Sequence, residues 1–476
     1  MQGITPKRPW PLFDVAATRH VEQTASASLP PHSLMQRAGL AVARLALAVA
    51  PHARTIWIAC GPGNNGGDGL EAAMHLQQWG KEAVVTWLGD EATAPADAVA
   101  SLGRARAAGV TFAAEPPAGW QLAIDAMLGI GSTRPLEGKM ADWASSMGQA
   151  GNPVLSIDLP SGLHADTGKG AAVQATHTLC LLTLKPGLFT GGGRDACGAV
   201  WFDDLDVGTP QQPNAWLAGP PARSERPHAS HKGSYGDVAV VGGAPGMTGA
   251  ALLAASAALH GGAGRVLVAL LDGGAMAVDA AQPELMFRHW DSLDLSTLHL
   301  ACGCGGGDAV RAVLPKAISK ARSLVLDADA LNALATDTQL QTQLQARARR
   351  GDRPTVLTPH PLEAARLLVC ATAQVQSDRL AAAQALVQRF GCTVVLKGSG
   401  TVIACPGEAT VVNPTGNARL ATAGTGDVLA GLIAARLAAG AAESVAATGA
   451  AYDHGQAADR WPAERALTAS ELARRC

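Results

Sequence analysis

Residues 55–69 read TIWIACGPGNNGGDG, an apolar, β-branched run that passes into a glycine-rich turn and then a helical stretch. A strand leading through such a turn into a helix belongs to a parallel sheet, because parallel neighbours need a crossover long enough to hold a helix. Runs of the same kind follow at AVVTWL (83–88), LAIDAML (122–128), PVLSIDL (153–159) and HTLCLLTL (177–184). The rhythm resumes with DVAVVGG (237–243), RVLVALL (265–271), LHLACG (298–303), SLVLDAD (323–329), PTVLTPH (354–360) and TVVLKG (393–398), separated by Ala/Leu-rich helical stretches. The expected fold class is α/β, with two three-layer α/β/α domains. No period of about 20 to 50 residues recurs, so the two parts are not copies of one another.

The 476 residues are about three times a typical domain, which favours more than one. Between Asp206 and Tyr235 the apolar periodicity stops, and Pro210, Pro213, Pro220, Pro221 and Pro227 fall in a polar segment that reads as unable to form helix or sheet interior. The expected domains are therefore residues 1–215 and 216–476.

Hydrophobic residues make up 48% and charged ones 16%, which excludes a disordered or collagen-like chain. A formal net charge of −2 gives no global field for nucleic acid or an anionic membrane, so small molecules are the expected partners. The longest uncharged stretch, Val238 to Gly264, contains Pro245 and seven glycines and reads as strand, loop and core helix, not as a bilayer span. The N-terminus lacks a signal-peptide core, and a cytoplasmic enzyme is expected. The nine cysteines include no CxxC and read as thiols. Self-association into a homo-oligomer is left open.

GPGNNGGDG (61–69) formally satisfies the dinucleotide pattern GxGxxG, with Asp90 or Glu91 as a ribose contact, yet Asp68 would repel a pyrophosphate on the same amides. Hydroxyls, amides and a cation suit the turn better. The plain alternative is a glycine turn capped by Asn65 and Asp68. Asp125 in DAMLGIGSTRP and Asp158 in SIDLPSGL also end strands, and ligands of open α/β sheets sit outside those ends. Either could instead cap the next turn.

In the second part there is no GxxxxGK[ST] loop, but Gly424-Thr425-Gly426 precedes an apolar helix within NPTGNARLATAGTGDVLAGLIAARL (413–437), which makes an anion hole of free amides. Asp427 would stand beside a phosphate as a base, or merely complement the helix dipole. LDADALNAL (326–334), TPHPLEAARL (358–367) and VVLKGSGTVIA (394–404) each follow a strand and supply the context.

GPGNNGGDG, DAMLGIGSTRP and SIDLPSGLHADTG, in this order, resemble the N-terminal YjeF domain, the NAD(P)H-hydrate epimerase, over residues 10–215. The resemblance implies a Rossmann-like domain in which Asn65, Asp125 and Ser161 hold a potassium ion. It also implies a hydrate site formed by Asn64, Asn65, Gly66, Gly67 and Asp68, by Gly129, Ile130, Gly131, Ser132, Thr133, Arg134 and Pro135, and by Asp158. Within that site Asp158 is expected to be the catalytic group that exchanges protons at the hydroxyl-bearing carbon. A relative of this domain is a non-catalytic scaffold, so a binding role remains the non-enzymatic alternative. The second set of motifs, with KGSYGDVAVVGGAPGMTGAALLAASAALHGGAGRV (232–266), resembles the ADP/ATP-dependent NAD(P)H-hydrate dehydratase, a ribokinase-like fold, over residues 225–476. Here the resemblance implies nucleotide binding by Lys397, Gly398, Ser399, Gly400, Thr401 and Gly426, beside Gly424 and Thr425. It implies a hydrate site at Ala250, Gly305, His360 and Asp427, with Asp427 catalytic, ADP as co-substrate and magnesium reached through water by Glu363. His360 could equally be a satisfied strand-end histidine, and Glu363 a surface helix glutamate.

The combined expectation is a nicotinamide-nucleotide repair enzyme that epimerises the R and S hydrates of NADH and NADPH (NADHX and NADPHX) and dehydrates the S form at the expense of ADP. The rival within enzymes is a ribokinase-like vitamin kinase with an ancillary first domain. Leu362, the string GCGGG (303–307) and Arg419-Leu420 depart from the family's usual residues, which bears on nucleotide affinity and choice.

Overall fold

The computed structural model describes residues 1–476 except 133, 210, 223–225 and 275. The chain forms two compact units, one of Met1–Thr5 with Trp10–Ala215 and the other of Pro6–Pro9 with Trp216–Cys476.

In the first unit the sheet runs Gln2–Gly3, Ala199–Asp203, His177–Leu181, Val154–Ile157, Leu122–Ala126, Thr55–Cys60, Glu82–Trp87, Thr111–Phe112. All neighbours are parallel except Gln2–Gly3, which is antiparallel to Ala199–Asp203. Alternation along Thr55–Cys60 sends Ile56 and Ile58 into one core and Trp57 and Ala59 into another, so both faces of the sheet are covered. From Thr55–Cys60 the chain builds outward in one direction through Glu82–Trp87, then returns to build the other way from Leu122–Ala126. That reversal is the switch point at which such sheets open a crevice. Gly61 sits there because a Cβ would lie 1.8 Å from Met127 O, closer than any side chain allows.

The second unit has the same logic. Its sheet runs Met286–Phe287, Arg265–Leu270, Asp237–Gly242, His299–Cys302, Ser323–Leu326, Thr355–Leu357, Thr393–Leu396, all parallel, and continues antiparallel through Val402–Ala404 and Thr410–Val412. Val238 and Val240 enter one core, Ala239 and Val241 the other. The switch point lies between Asp237–Gly242 and His299–Cys302.

The α/β class and the strand runs read from the sequence are all found, but most strands stop short of the quoted stretch. Backbone of positive φ begins where they stop, at Asp158 (φ 65°), Leu182 (φ 61°) and Ala328 (φ 49°). The segment 206–235 needs a correction, since Ala215–Leu217 is a strand within it and Ala218 N donates to Val412 O at 2.9 Å. The prolines flank this strand without interrupting it, and Ala215 and Leu217 are buried while Trp216 faces out.

Candidate functional site

At the first switch point lies a cavity of about 580 Å³. The helix Asn64–Gln78 begins inside the glycine motif, with Gly63 as an N-cap that lends no side chain, so Asn65 and Asp68 are first-turn and second-turn residues and not caps. Asn64, Asn65 and Asp68 line the cavity from this helix. Gly129, Ile130, Gly131, Ser132 and Arg134 line it from the loop after Leu122–Ala126, and Asp158 from the loop after Val154–Ile157. Gly66 and Gly67 are not in the lining; they pack against Gly61 O and Met35. Pro135 is exposed outside the lining, and position 133 lies outside the described residues.

Asp158 is the most constrained of these groups. Its positive φ turns the side chain back over the sheet end, and its N–H donates to Leu179 O at 2.7 Å. Oδ1 accepts from Leu181 N at 3.2 Å and forms an ion pair with Lys185 Nζ. The Lys185 side chain is buried and also donates to Leu181 O at 2.7 Å. Burial is the largest single influence and opposes its charge, but Asp158 and Cys180 together outweigh it and hold the ammonium above its ordinary value. Asp68 behaves oppositely, because burial, then Asp158 and Glu22, push its proton affinity well up. Glu22 is likewise raised by burial and by Asp158. The cavity thus pairs one carboxylate fixed by an ammonium with two carboxyl groups that favour the proton, the combination that acid-base chemistry requires.

Behind this wall, Asp125 is fully buried. Ser156 Oγ and Ser161 N each donate to its Oδ2 at 2.8 Å, and Ser161 Oγ donates to Oδ1 at 2.5 Å. Burial raises Asp125, against those hydrogen bonds. Asn65 is buried as well, and its Nδ2 has no partner among the described residues. The unpartnered atom is an N–H donor and does not itself mark a cation; what Asn65, Asp125 and Ser161 could offer a hard, weakly hydrated cation is their side-chain oxygens.

Sequence reasoning missed Lys185, although a lone lysine in the apolar run LLTLKPGLF was a visible signal. It also missed the helix Val15–Ser28, which contributes Thr18, Arg19, Glu22 and Ser26 to the cavity and precedes every motif.

In the second unit the helix Thr425–Ala438 starts from Gly424 with no side-chain cap. Asp427 in its first turn lies with Asp327 and Cys304, their carboxylate oxygens and Sγ all within 4.8 Å of one another. Asp327 is buried, and its Oδ1 accepts from Lys397 Nζ at 2.6 Å and Thr358 Oγ1 at 2.8 Å. Burial, then the Asp327 charge, push Asp427 up to about 6. The oxygens of Asp327 and Asp427 suit magnesium, whereas the Cys304 thiol does not. Behind the turn, buried His454 Nε2 lies 2.9 Å from Thr425 O. Burial pushes His454 down to about 4, so the ring is a neutral donor there.

The loop Lys397–Thr401 follows strand Thr393–Leu396. Buried Arg379 supports it from below, donating to Leu396 O and Lys397 O at 3.1 Å each. Gly398 has φ 135°, and a Cβ there would lie 3.0 Å from the Arg379 guanidinium nitrogens. Thr401 Oγ1 donates to Gly398 O at 3.2 Å, and Ser399 is exposed. Gly305 and Ala250 are brought together, since a Cβ on Gly305 would lie 2.9 Å from Ala250 Cβ.

His360 caps the helix Pro361–Leu368, its Nδ1 accepting from Leu362 N at 3.1 Å, while its own N–H donates to Glu363 Oε2 at 2.8 Å. Glu363 is therefore not a surface glutamate. It is buried in the capping box, and that burial pushes it up to about 7. Leu362 is exposed, and Arg419 Nη2 reaches Ala463 O at 3.4 Å.

Known families match both parts of the chain. A family described as the YjeF-related protein N-terminus matches residues 31–187, and one described as NAD(P)H-hydrate dehydratase matches residues 238–475. Over 455 residues the chain is 36% identical to the bifunctional NAD(P)H-hydrate repair enzyme Nnr of Escherichia coli, covering 90% of this chain and 85% of that one. The chain belongs to the bifunctional NAD(P)H-hydrate repair enzymes. The Moorella thermoacetica enzyme of the same name is 36% identical over 527 residues, covering 97% of this chain and 95% of that one. Among solved structures, the ADP/ATP-dependent NAD(P)H-hydrate dehydratase from Bacillus subtilis, co-crystallized with ATP/Mg2+, aligns at 30% identity with a TM-score of 0.45, over 52% of this chain and 90% of that one. As a member of the family, the chain is an NAD(P)H-hydrate epimerase and dehydratase in one polypeptide.

Proposed function

We propose that the first cavity interconverts the R and S hydrates and that the cleft around Asp427 consumes the S form with ADP, dividing the work between residues 1–215 and 216–476. The observation that carries this reading is that each unit sets a carboxylate at its own switch point against a buried charged partner, Asp158 against Lys185 and half-buried Asp427 against Asp327.

In the first cavity, a proton passes through Asp158 to the hydroxyl at C6 of the hydrated ring, which leaves as water, and returns through Asp158 when water adds back on either face. The ring nitrogen shares the transient positive charge. Asn64, Asp68 and the loop residues Gly129, Ile130, Gly131, Ser132 and Arg134 surround the ring. Asn65, Asp125 and Ser161 would hold potassium, which supplies fixed positive charge beside the site.

In the second cleft, Asp427 takes the proton from the C6 hydroxyl, whose oxygen attacks the terminal phosphoryl group of ADP and releases AMP. Phosphate, a better leaving group than hydroxide, then departs from C6 with its bonding electron pair. Loss of the proton from the adjacent carbon restores the dihydropyridine. The amides of Gly424, Thr425 and Gly426 receive phosphoryl oxygens, and Lys397, Gly398, Ser399, Gly400 and Thr401 hold the nucleotide. Ala250, Gly305 and His360 border the hydrate. Magnesium, carried on the nucleotide phosphates near Asp327 and Asp427, would offset their charge; Glu363, committed to its cap, supports His360.

Among the described residues no helix is long and apolar enough to cross a membrane, and the net charge is −2. On this proposal small molecules are the substrates and the cytoplasm is the place of action. The test is recovery of NADH absorbance from a mixed-epimer hydrate preparation, with ADP and ATP compared. Full recovery is expected. Recovery of the S fraction alone would show the first cavity inactive, and a stable phosphate ester in place of NADH would mark a kinase.

A further inference from the structure

The helix Val15–Ser28 turns Thr18, Arg19, Glu22 and Ser26 toward the first cavity, a spacing that keeps them on one helical face. The helix is tied down at its start. Asp14 Oδ1 accepts from Ala17 N at 2.8 Å, Asp166 Oδ1 from Val15 N at 2.9 Å, and Thr18 Oγ1 lies 2.7 Å from Thr183 Oγ1 in a buried contact. Arg19 is therefore held at a fixed place on the rim. Its guanidinium crosses the mouth to the opposite wall, since a Cβ on Gly131 would lie 3.6 Å from Nη2. Among the described residues the Arg19 side chain makes no hydrogen bond and no ion pair, and its charge acts on Glu22.

Three cationic side chains line the cavity, and they differ in what they are free to bind. Buried Lys185 is committed to Asp158, whereas Arg19 and Arg134 are exposed. A ligand that joins an uncharged ring to a diphosphate is matched with its ring toward Asp158 and its phosphates toward these arginines. There the phosphates meet the planar donors of a guanidinium.

We propose that Arg19 is the diphosphate-binding residue of the epimerase cavity. The inference rests on reading that cavity as the site of dinucleotide hydrate epimerisation, and it extends the site to a helix ahead of residues 31–187, which the N-terminal family matches.

The test measures R-to-S interconversion of hydrated NADH and of hydrated dihydronicotinamide riboside, which has no phosphate, with the full chain and its Arg19→Gln and Arg19→Lys variants. For Arg19→Gln, KM for the dinucleotide should rise about tenfold with kcat nearly unchanged, the size expected for losing a charge-assisted hydrogen bond. The riboside kinetics should stay as in the parent, and Arg19→Lys should keep part of the affinity. Equal losses on both substrates, or a fall in kcat with KM unchanged, would overturn the proposal by placing Arg19 in action through Glu22. Asp158→Asn separates the two levels. If it leaves interconversion intact, the reading of the cavity fails; if it abolishes interconversion while Arg19→Gln keeps the parent KM, only the Arg19 proposal fails.

Discussion

Lys397 Nζ donates to Asp327 Oδ1 at 2.6 Å and lies 3.2 Å from where a Cβ on Gly426 would stand, so one ammonium joins the Lys397–Thr401 loop to the start of the Thr425–Ala438 helix. Burial alone would lower this lysine, yet Asp327 and Glu363 raise it. Lys397→Met would leave Asp327 buried without its counter-charge, at a cost of about 3 kcal/mol in stability. Urea unfolding should show that loss, and nucleotide KM should rise in the dehydratase assay while epimerisation is unaffected.

Asp427 acts as a base only when ionised, and its pKa stands at about 6. Dehydratase kcat/KM should therefore fall about tenfold per pH unit below that value, and Asp427→Asn should yield almost no NADH from S-hydrate, ADP and magnesium. Wild-type turnover by the variant would refute the role.

The same shift has a stability consequence of definite sign. Folding raises the proton affinity of Asp427 from 3.8 to about 6, so the ionised carboxylate weakens the fold, by nothing below the unfolded value and fully above the folded one. Asp427→Asn should be more stable than the parent at roughly pH 8 by about 1–3 kcal/mol, and the gain should vanish on acidification below the unfolded value. Chemical unfolding at both pH values measures it.

Asp158 and Lys185 form the corresponding pair in the first unit. Asp158→Asn should abolish interconversion of the hydrates and leave S-hydrate dehydration intact. Lys185→Met strands a buried carboxylate and should cost about 3–5 kcal/mol. The double variant should lose less stability than the sum of the two singles, a coupling that thermal unfolding of all four proteins would reveal.

Gly398 has a left-handed backbone of φ 135° and no room for a side chain above Arg379. Gly398→Ala must displace either the loop or the guanidinium that holds it. Stability should drop by about 1–3 kcal/mol and nucleotide KM should rise. An unchanged KM would show that the loop does not touch the nucleotide.

Potassium should matter to one activity alone. Exchange into a large organic cation should depress epimerisation and spare the dehydratase, and Ser161→Ala, which removes the 2.5 Å hydrogen bond to Asp125, should raise the cation concentration needed for half-maximal rate.

The parts of the sites that were legible in the sequence are those built by neighbours along the chain. GPGNNGGDG and GTGD announced helix starts at strand ends, and Asp125, Asp158 and Asp427 sat at strand or helix termini where parallel sheets open. Even there the reading slipped locally. The helix within GPGNNGGDG begins at Asn64 and has no side-chain cap, and Glu363 turned inward to accept from His360 N.

Strand rhythm, glycine turns and the α/β class are short-range properties of the chain, set by which residues alternate and where backbone must bend, and the amino-acid order alone determined them. The partners of the reactive groups were decided by the tertiary structure. Lys185 meets Asp158 across 27 positions and Lys397 meets Asp327 across 70, because strand order and register bring different loops to the same sheet edge. Arg19, Glu22 and Cys304 joined the sites in the same way. No periodicity encodes such meetings, since the charge on each group is balanced by a neighbour in space and not in sequence.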